Sequence, residues 1–251
     1  MRLSDAFDLG SGEIVALVGG GGKTTAMYRL ARETAAEGGA AIATGTALFT
    51  PPSDRPRHLI VITEREDALT EAVRAALVRE RCIIAAVGHG TQGRLLPVAA
   101  SAPAAMLALP GVRRVIVEAD GSRTRAFKAP GEHEPVIPDG ATIVIAVAGM
   151  RVLGQPLDAE HVHRPERVAA IIDAELGAPV TIEIMAGVLA HPLGGRKGVP
   201  ADARFAVLLN QVDAGRIGDA RRLGSMLRAA GVDRVVLAQA REEPPVVEVL
   251  R

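Results

Sequence analysis

The chain has 251 residues, of which 48 % are hydrophobic and 23 % charged, as in an ordinary globular protein. Basic and acidic residues both number 29, which excludes a global positive field that would attract nucleic acid or an anionic membrane. The N-terminus lacks the pattern of a secretory signal, the apolar runs are too short for a membrane helix, and one cysteine, Cys82, is typical of a reducing compartment. We therefore expect a cytoplasmic protein that binds neither nucleic acid nor membrane, with Cys82 as a small buried hydrophobe.

Apolar runs that predict strands alternate along the chain with stretches that predict helices. The strands are predicted at residues 13–18, 40–44, 58–63, 82–87, 114–118, 142–147, 205–210 and 234–239. The helices are predicted at residues 23–37, 65–80, 165–176, 181–190 and 216–230. Continuous β-branched runs suit strands that are buried on both faces, so we expect a mostly parallel α/β sheet with helices on both faces. We predict one domain over residues 1–251, with a small, mostly helical insertion at 150–203.

A glycine-rich stretch, VGGGGKTT at residues 18–25, follows the first predicted strand. It lacks the first glycine of G-x-x-x-x-G-K-[ST] but fits the shorter pattern G-x-x-G-K-T. In that reading the backbone N–H groups of Gly19, Gly20, Gly21 and Gly22 cradle phosphate, Lys23 reaches the β and γ phosphates, and Thr24 binds Mg²⁺ beside Thr25. The alternative is a glycine turn without a ligand. The order of strand, glycines, GKT and helix favours nucleotide binding and a P-loop NTPase-like fold.

Two carboxylates end a later strand, where a phosphate-loop fold needs an acidic partner for Mg²⁺. The run 115–117 leads into Glu118 and Asp120, which share a face if the strand persists. Carboxylate oxygens are ligands that Mg²⁺ prefers, so we predict a metal site formed by Thr24, Glu118 and Asp120. Asp120 is the first choice because it lies at the strand exit. The alternative is that either carboxylate caps a loop.

The sequence LLNQVD ends the strand predicted at 205–210 and resembles the N-K-x-D sequence with which GTPases read guanine. Asn210 and Asp213 are therefore candidate nucleotide-binding residues, since a carboxylate can accept hydrogen bonds from guanine that adenine does not supply. Gln211 replaces the usual lysine. An ordinary strand-to-helix turn, in which Asn and Asp are also favoured, is an equal alternative.

Charged residues are concentrated in two long polar stretches, at 120–140 and 156–166. In the first, Lys128 is a candidate for neutralising charge on a transferred phosphate, and His133 or Glu134 for acid–base catalysis. A solvated charged loop is the alternative. In the second, His161 and His163 have a spacing that suits a shared metal in an extended strand, although a helix-capping or substrate-facing role is the preferred interpretation.

Several motifs together resemble the YqeC family: VGGGGKTT, VEADGSRTRAFKAPGEHEPVIP, PLDAEHVHRPE, HPLGGRKGVP and LLNQVD. The resemblance covers nearly the whole chain and implies an accessory protein of selenium-dependent molybdenum hydroxylases. The family often has a threonine-rich stretch after its second strand, whereas this chain places Gly45 between Thr44 and Thr46. Hydroxyls there face phosphate or Mg²⁺, or they belong to a turn.

The residues and the resemblance together predict a Mg²⁺-dependent protein that binds a nucleoside triphosphate, either GTP or ATP. We expect an NTPase or a nucleotide-dependent transfer enzyme, with Lys23, Asp120, Lys128, His133 and Glu134 as its catalytic candidates. Its expected partner is a molybdenum hydroxylase or the cofactor of that enzyme. The alternative is a nucleotide-gated chaperone or scaffold with little or no turnover.

Overall fold

Each predicted strand is present in the structure, a computed structural model that describes residues 1–52 and 59–251. His58, the predicted start of the third strand, lies outside the described residues. The strands of the main sheet are β1 (Glu13–Gly19), β2 (Ala40–Gly45), β3 (Leu59–Ile62), β4 (Cys82–Ala86), β5 (Val112–Glu118), β7 (Ile143–Gly149), β9 (Arg204–Asn210), β10 (Arg234–Ala238) and β11 (Val246–Leu250). Two short strands, β6 (Phe127–Lys128) and β8 (Val162–His163), pair with each other in a separate ribbon.

The five predicted helices are present, with ends that differ by a few residues. The helices are α1 (Leu3–Ala6), α2 (Lys23–Ala36), α3 (Glu66–Leu77), α4 (Ala102–Leu107), α5 (Pro165–Ile172), α6 (Ile182–Ala190) and α7 (Ile217–Ala229). The prediction missed α1 and α4 because they have only 4 and 6 residues, too few to show a helical period. Helix α5 ends before its predicted end because Asp173 has a left-handed conformation, with φ of 52°.

The main sheet has the order β11-β10-β9-β7-β1-β5-β2-β4-β3, and every pair in it is parallel except β10 with β11. The mostly parallel α/β sheet is thus confirmed. The last strand was not predicted, because VVEVL is broken by Glu248 and lies only partly buried at the sheet edge.

Side chains alternate along the strands between two hydrophobic cores, as the period of two requires. On one face the strands pack against α1 and α2, and on the other against α3 to α7. Cys82 belongs to the core beside α1 and α2, and burial raises the pKa of its thiol to about 12. It therefore behaves as the predicted buried hydrophobe. Both faces of the sheet are therefore covered by helices.

Residues 150–203 connect β7 with β9, which are direct neighbours in the sheet. This stretch holds α5, α6 and β8, and its helices share the core of α7. Strand β1 lies between β5 and β7, so the carboxyl ends of β1, β2, β5, β7 and β9 meet at one edge, here called the carboxyl edge. Ligands of open parallel sheets bind at such an edge, outside the strand ends.

Candidate functional site

The glycine stretch forms a tight loop between β1 and α2 at the carboxyl edge. Gly19, Gly21 and Gly22 have φ values of 95°, 77° and 122°, a region that other residues rarely adopt. A Cβ atom at Gly20 would lie 2.7 Å from the carbonyl oxygen of Arg125, and one at Gly21 would lie 2.2 Å from the backbone nitrogen of Gly149. Glycine is thus required at these positions by backbone conformation and by close packing.

The first three glycine amides already donate to groups of the protein. Gly19 N–H donates to both carboxylate oxygens of Asp120, at 3.1 and 3.0 Å. Gly20 N–H donates to the carbonyl of Val147 at 2.8 Å, and Gly21 N–H to that of Arg125 at 3.1 Å. The following amides, from residue 22 to residue 25, make no hydrogen bond with any described part of the chain. In this conformation the donors that face an incoming anion therefore begin at Gly22, at the start of α2.

Lys23 folds back toward the strand ends. Its side chain is almost fully buried, and its Nζ donates to the carbonyl of Gly19 at 2.5 Å. The same Nζ lies 3.2 Å from Oδ1 of Asp120 and 3.8 Å from Oε1 of Glu118. The predicted lysine and the two predicted carboxylates are thus brought together in one buried cluster.

Thr24 and Glu118 complete this cluster. The hydroxyl of Thr24 donates to Oε2 of Glu118 at 2.7 Å. Burial raises the pKa of Glu118 above that of an ordinary carboxyl, while Lys23 and the hydrogen bond from Thr24 oppose the rise. Glu118 is therefore a buried carboxylate that a further cation would stabilise.

The donor chemistry of this cluster fits Mg²⁺. Thr24 supplies a hydroxyl, and Glu118 and Asp120 supply carboxylate oxygens, which are hard ligands of the kind that Mg²⁺ prefers. Within residues 1–52 and 59–251, no group of three or more His, Cys, Asp or Glu side chains is placed to hold a metal by itself. These residues therefore suit an ion that takes its other ligands from water or from a bound ligand.

Lys128 joins the cluster from β6. Its buried Nζ lies 3.0 Å from Oδ2 of Asp120 and 2.5 Å from Oε2 of Glu134, and it donates to the carbonyl of Gly121 at 2.6 Å. We call Lys23, Glu118, Asp120, Lys128, Glu134 and Arg164 the ion network. In it, Lys128 contacts two carboxylates and so holds Asp120 in place.

Glu134 is bound from two sides. Besides Lys128, Arg164 donates to both of its oxygens, at 2.7 and 3.0 Å. Burial by itself would raise the pKa of Glu134, but the hydrogen bonds from Arg164 and Lys128 outweigh it and lower the pKa to about 2. Glu134 is therefore a poor proton carrier at neutral pH in this state. His133 is exposed and makes no hydrogen bond or ion pair with a described residue.

The two residues predicted to read a base have different surroundings. Asn210 is buried, donates to the carbonyl of Gly21 at 2.8 Å, and accepts from the amide of Ala240 at 2.9 Å. It thus ties the glycine loop to the end of β9. Asp213 is partly exposed and pairs with Arg216 at 2.5 Å, so its reading of a base stays a prediction.

The two histidines of the second polar stretch differ as well. His161 Nδ1 lies 2.8 Å from Oδ1 of Asp158, which also accepts from the amides of Glu160 and His161. Burial, with Arg164 and Lys128 nearby, lowers the pKa of His163 to about 4. Neither histidine caps α5, since the N-cap residue of this helix is Arg164, which makes no side-chain cap hydrogen bond.

Other groups that the sequence offered to phosphate are bonded elsewhere. The hydroxyl of Thr44 donates to Ala85 O at 2.8 Å, and that of Thr46 to Val136 O at 2.5 Å. These hydroxyls therefore support the turn interpretation rather than a ligand role. The chain also carries a cation at this edge that the motifs did not reveal, Arg94, which follows β4 within the glycine-rich sequence GHGTQGR.

Two features of the sequence could have pointed to Arg94: its position directly after a predicted strand, and the glycine-rich composition of its loop. A second glycine-rich loop directly after a parallel strand must meet the same carboxyl edge as the first, so its charged residues are candidates for the same ligand.

Comparisons with known proteins agree with the motifs. The family model described as "YqeC protein" matches residues 15–166. A protein from Escherichia coli (strain K12), named "Uncharacterized protein YqeC", is 32 % identical over 199 residues, which cover 79 % of this chain and 75 % of that protein. No solved structure matches the chain. Among the described helices, none has the length and apolar character needed to span a membrane. By its family match and its relative, the chain belongs to the YqeC family.

Proposed function

We propose that this protein binds a nucleoside triphosphate with Mg²⁺ at the glycine loop and hydrolyses it or uses it in a transfer reaction. The observation that carries the proposal is the cluster at the start of α2. A glycine loop leads into free helix N-terminal amides, and Lys23, Thr24, Glu118 and Asp120 lie in mutual contact beside them. Helix N-terminal amides and a lysine suit phosphate, and a hydroxyl with carboxylates suits the metal.

Binding in this manner requires Lys23 to change partners. Its Nζ now contacts Gly19 O and Asp120, and it must turn toward the phosphates to neutralise them. Asp120 is not left unpaired by this movement, because Lys128 stays 3.0 Å away and Gly19 N–H donates to it. Thr24, Glu118 and Asp120 would hold Mg²⁺, which would supply charge neutralisation on the phosphate oxygens when bound. The role of Lys128 is then to position Asp120.

We also propose an accessory role in the maturation of selenium-dependent molybdenum hydroxylases, since membership of the YqeC family supports a role of this kind. The expected partner is such a hydroxylase or its cofactor. The choice between GTP and ATP depends on Asp213, which must leave Arg216 to accept hydrogen bonds from guanine.

One observation favours the second candidate, a nucleotide-gated chaperone or scaffold with little turnover. The predicted acid–base residue Glu134 is held by Lys128 and Arg164, and His133 is exposed without a partner in the described part of the chain. Neither of these two predicted acid–base residues is therefore positioned to act as a general base in this conformation. Steady phosphate release by purified protein with Mg²⁺ distinguishes the enzyme from the scaffold, which changes only its affinity for a partner.

The first experiment is a thermal-shift panel with ATP, GTP, CTP and their diphosphates, each with and without Mg²⁺. We expect a triphosphate to raise the unfolding temperature, more strongly with Mg²⁺, because a ligand that binds only the folded state stabilises it. An unfolding temperature that no nucleotide in the panel changes would contradict the proposal.

The second experiment is calorimetric titration of the Lys23→Ala variant with the best triphosphate. The matched control is Lys197→Ala, since within the described residues the side chain of Lys197 donates to the backbone carbonyls of Gly131 and Glu132. We expect Lys23→Ala to weaken binding by about a hundredfold and the control to change it by less than about threefold. Equal affinities of the wild type and Lys23→Ala would show that the assigned role of the loop is wrong.

A further inference from the structure

The loop that follows β4 carries Arg94 to the carboxyl edge. Its neighbour Leu95 is buried and exchanges backbone hydrogen bonds with Phe49, at 2.8 and 3.3 Å. Phe49 belongs to the loop that follows β2, and Gly45 at the end of β2 is the register partner of Glu118. The backbone of Thr46 also donates to the carbonyl of Glu118, at 3.1 Å. Arg94 is thus fixed beside the strand end that bears Glu118.

The guanidinium of Arg94 is only partly used by the protein. One terminal nitrogen donates to the carbonyl of Leu48. Its Nε is buried and has no hydrogen-bond partner within the described chain, and no described carboxylate lies within ion-pair distance. A buried donor without a partner is costly, so a ligand acceptor at this position would remove a penalty.

The charges of the ion network are balanced, which favours a further cation for a triphosphate. In that network three cations, Lys23, Lys128 and Arg164, already face three carboxylates. A triphosphate with one Mg²⁺ brings a net negative charge into this neutral arrangement. Arg94 lies beside the strand end that bears Glu118 and lacks a carboxylate partner in the described structure.

We propose that Arg94 binds the terminal phosphate of the nucleoside triphosphate, so that it distinguishes a triphosphate from a diphosphate. This inference rests on the proposed function, because it needs a nucleotide at the glycine loop. Arginine suits the role, since its planar fork donates to two phosphate oxygens at once. Lys23 and the amides at the start of α2 then hold the β and γ phosphates from the side of the glycine loop, while Arg94 approaches the terminal phosphate from the β2 and β4 side.

The test compares Arg94→Gln with Arg81→Gln. Arg81 lies just before β4, at the opposite end of the same strand, and also donates to one backbone carbonyl, that of Gly38, without an ion pair in the described structure. Each variant and the wild type are titrated calorimetrically with MgATP, MgGTP, ADP and GDP. Arg94→Lys is included because it keeps the charge and removes the fork, and the unfolding temperature of each free variant checks that it is folded.

We expect Arg94→Gln to weaken the better triphosphate by about tenfold to a hundredfold and its diphosphate by less than about threefold. Arg94→Lys should fall between, and Arg81→Gln should match the wild type. If the wild type binds a triphosphate but Arg94→Gln binds it equally well, or loses triphosphate and diphosphate alike, the role of Arg94 is wrong and the proposed function stands. If the wild type binds no nucleotide, the proposed function fails, and the role of Arg94 fails with it.

Discussion

Two buried charges on the same strand, Arg114 near the start of β5 and Glu118 at its end, have opposite surroundings. Arg114 is 3 % exposed, and its nitrogens donate to the carbonyls of Leu9 and Gly10 and to the hydroxyl of Thr34. It also pairs with Glu37 at 3.0 Å. Each nitrogen of this guanidinium is bonded, to two backbone carbonyls and two side chains.

Glu118 is about as deeply buried, at 5 % exposure, but its partners are the side chains of Thr24 and Lys23. Lys23 is shared with Asp120, and the pKa of Glu118 stays raised by burial. Charges with a perturbed pKa are more frequent at functional sites than elsewhere in a protein. We therefore expect the fully bonded Arg114 to contribute to stability, and we propose that a ligand binds at the carboxyl end of β5, where Glu118 lies.

The largest expected effect is on stability, at the amino end. Arg114→Leu leaves the carbonyls of Leu9 and Gly10 without this donor and removes one of the cations that pair with Glu37, so the free energy of unfolding should fall by about 3 to 5 kcal/mol. The control is Arg113→Leu, whose half-exposed side chain lies 4.0 Å from Glu37 and should cost less than about 1 kcal/mol. Urea denaturation measures both. An equal loss of unfolding free energy in the two variants would contradict the structural role of Arg114.

A smaller loss of stability is expected at Glu134, which belongs to the ion network but not to the phosphate loop. Glu134→Gln removes the charge that Lys128 and Arg164 share, so the free energy of unfolding at neutral pH should fall by about 1 to 3 kcal/mol. The lowered pKa of about 2 means that this stabilisation is complete above the ordinary carboxyl pKa and is lost as the pH falls through about 2. The difference between wild type and variant, followed by urea denaturation from about pH 7 to pH 2.5, should therefore shrink below about pH 4.5. A difference that is constant with pH would contradict the assignment.

At Glu118 the expected effect on stability is small and has the opposite sign. Since the folded pKa is raised, ionisation of Glu118 destabilises the fold as the pH rises above the ordinary carboxyl pKa. Glu118→Gln should thus preserve the free energy of unfolding at about pH 8 or raise it by about 1 kcal/mol, and the effect of Mg²⁺ on nucleotide binding should be lost. Denaturation and calorimetry with and without Mg²⁺ measure the two parts. Destabilisation at pH 8, or an unchanged Mg²⁺ effect, would place Glu118 with Arg114 among the structural charges.

The smallest effect is expected at His163, beside the ion network in β8. Its folded pKa of about 4 is below its ordinary value, so its contribution to stability is present above about pH 6.5 and is lost as the pH falls toward about 4. His163→Gln should reduce the decline of the unfolding temperature over that range. His161→Gln is the comparison variant, since His161 pairs with Asp158. A decline that is unchanged in His163→Gln would contradict the lowered pKa that burial, with Arg164 and Lys128 nearby, gives this ring.

Much of the fold was readable from local patterns. Runs such as CIIAAV and FAVLLN are continuous because parallel strands with two covered faces present no polar side, and every such run became a strand. The short helices α1 and α4 and the strands β6 and β8 were not predicted, because segments this short carry no measurable period. They are defined by contacts with distant segments.

By itself the sequence determined the element types, the family, and the group of residues around the glycine loop. Gly19 to Thr24, Glu118 and Asp120 follow strands whose ends must meet in a parallel sheet, so their proximity follows from topology.

Only the tertiary structure decided which bonds each group makes. In the structure Lys23 contacts Gly19 and Asp120, and Asn210 donates to Gly21. Arg164 binds Glu134, whereas Arg94 has no carboxylate partner in the described chain. The physical reason is that hydrogen bonds and ion pairs depend on distances of a few ångströms between residues separated by tens of positions. Those distances are set by packing across the sheet and not by local sequence.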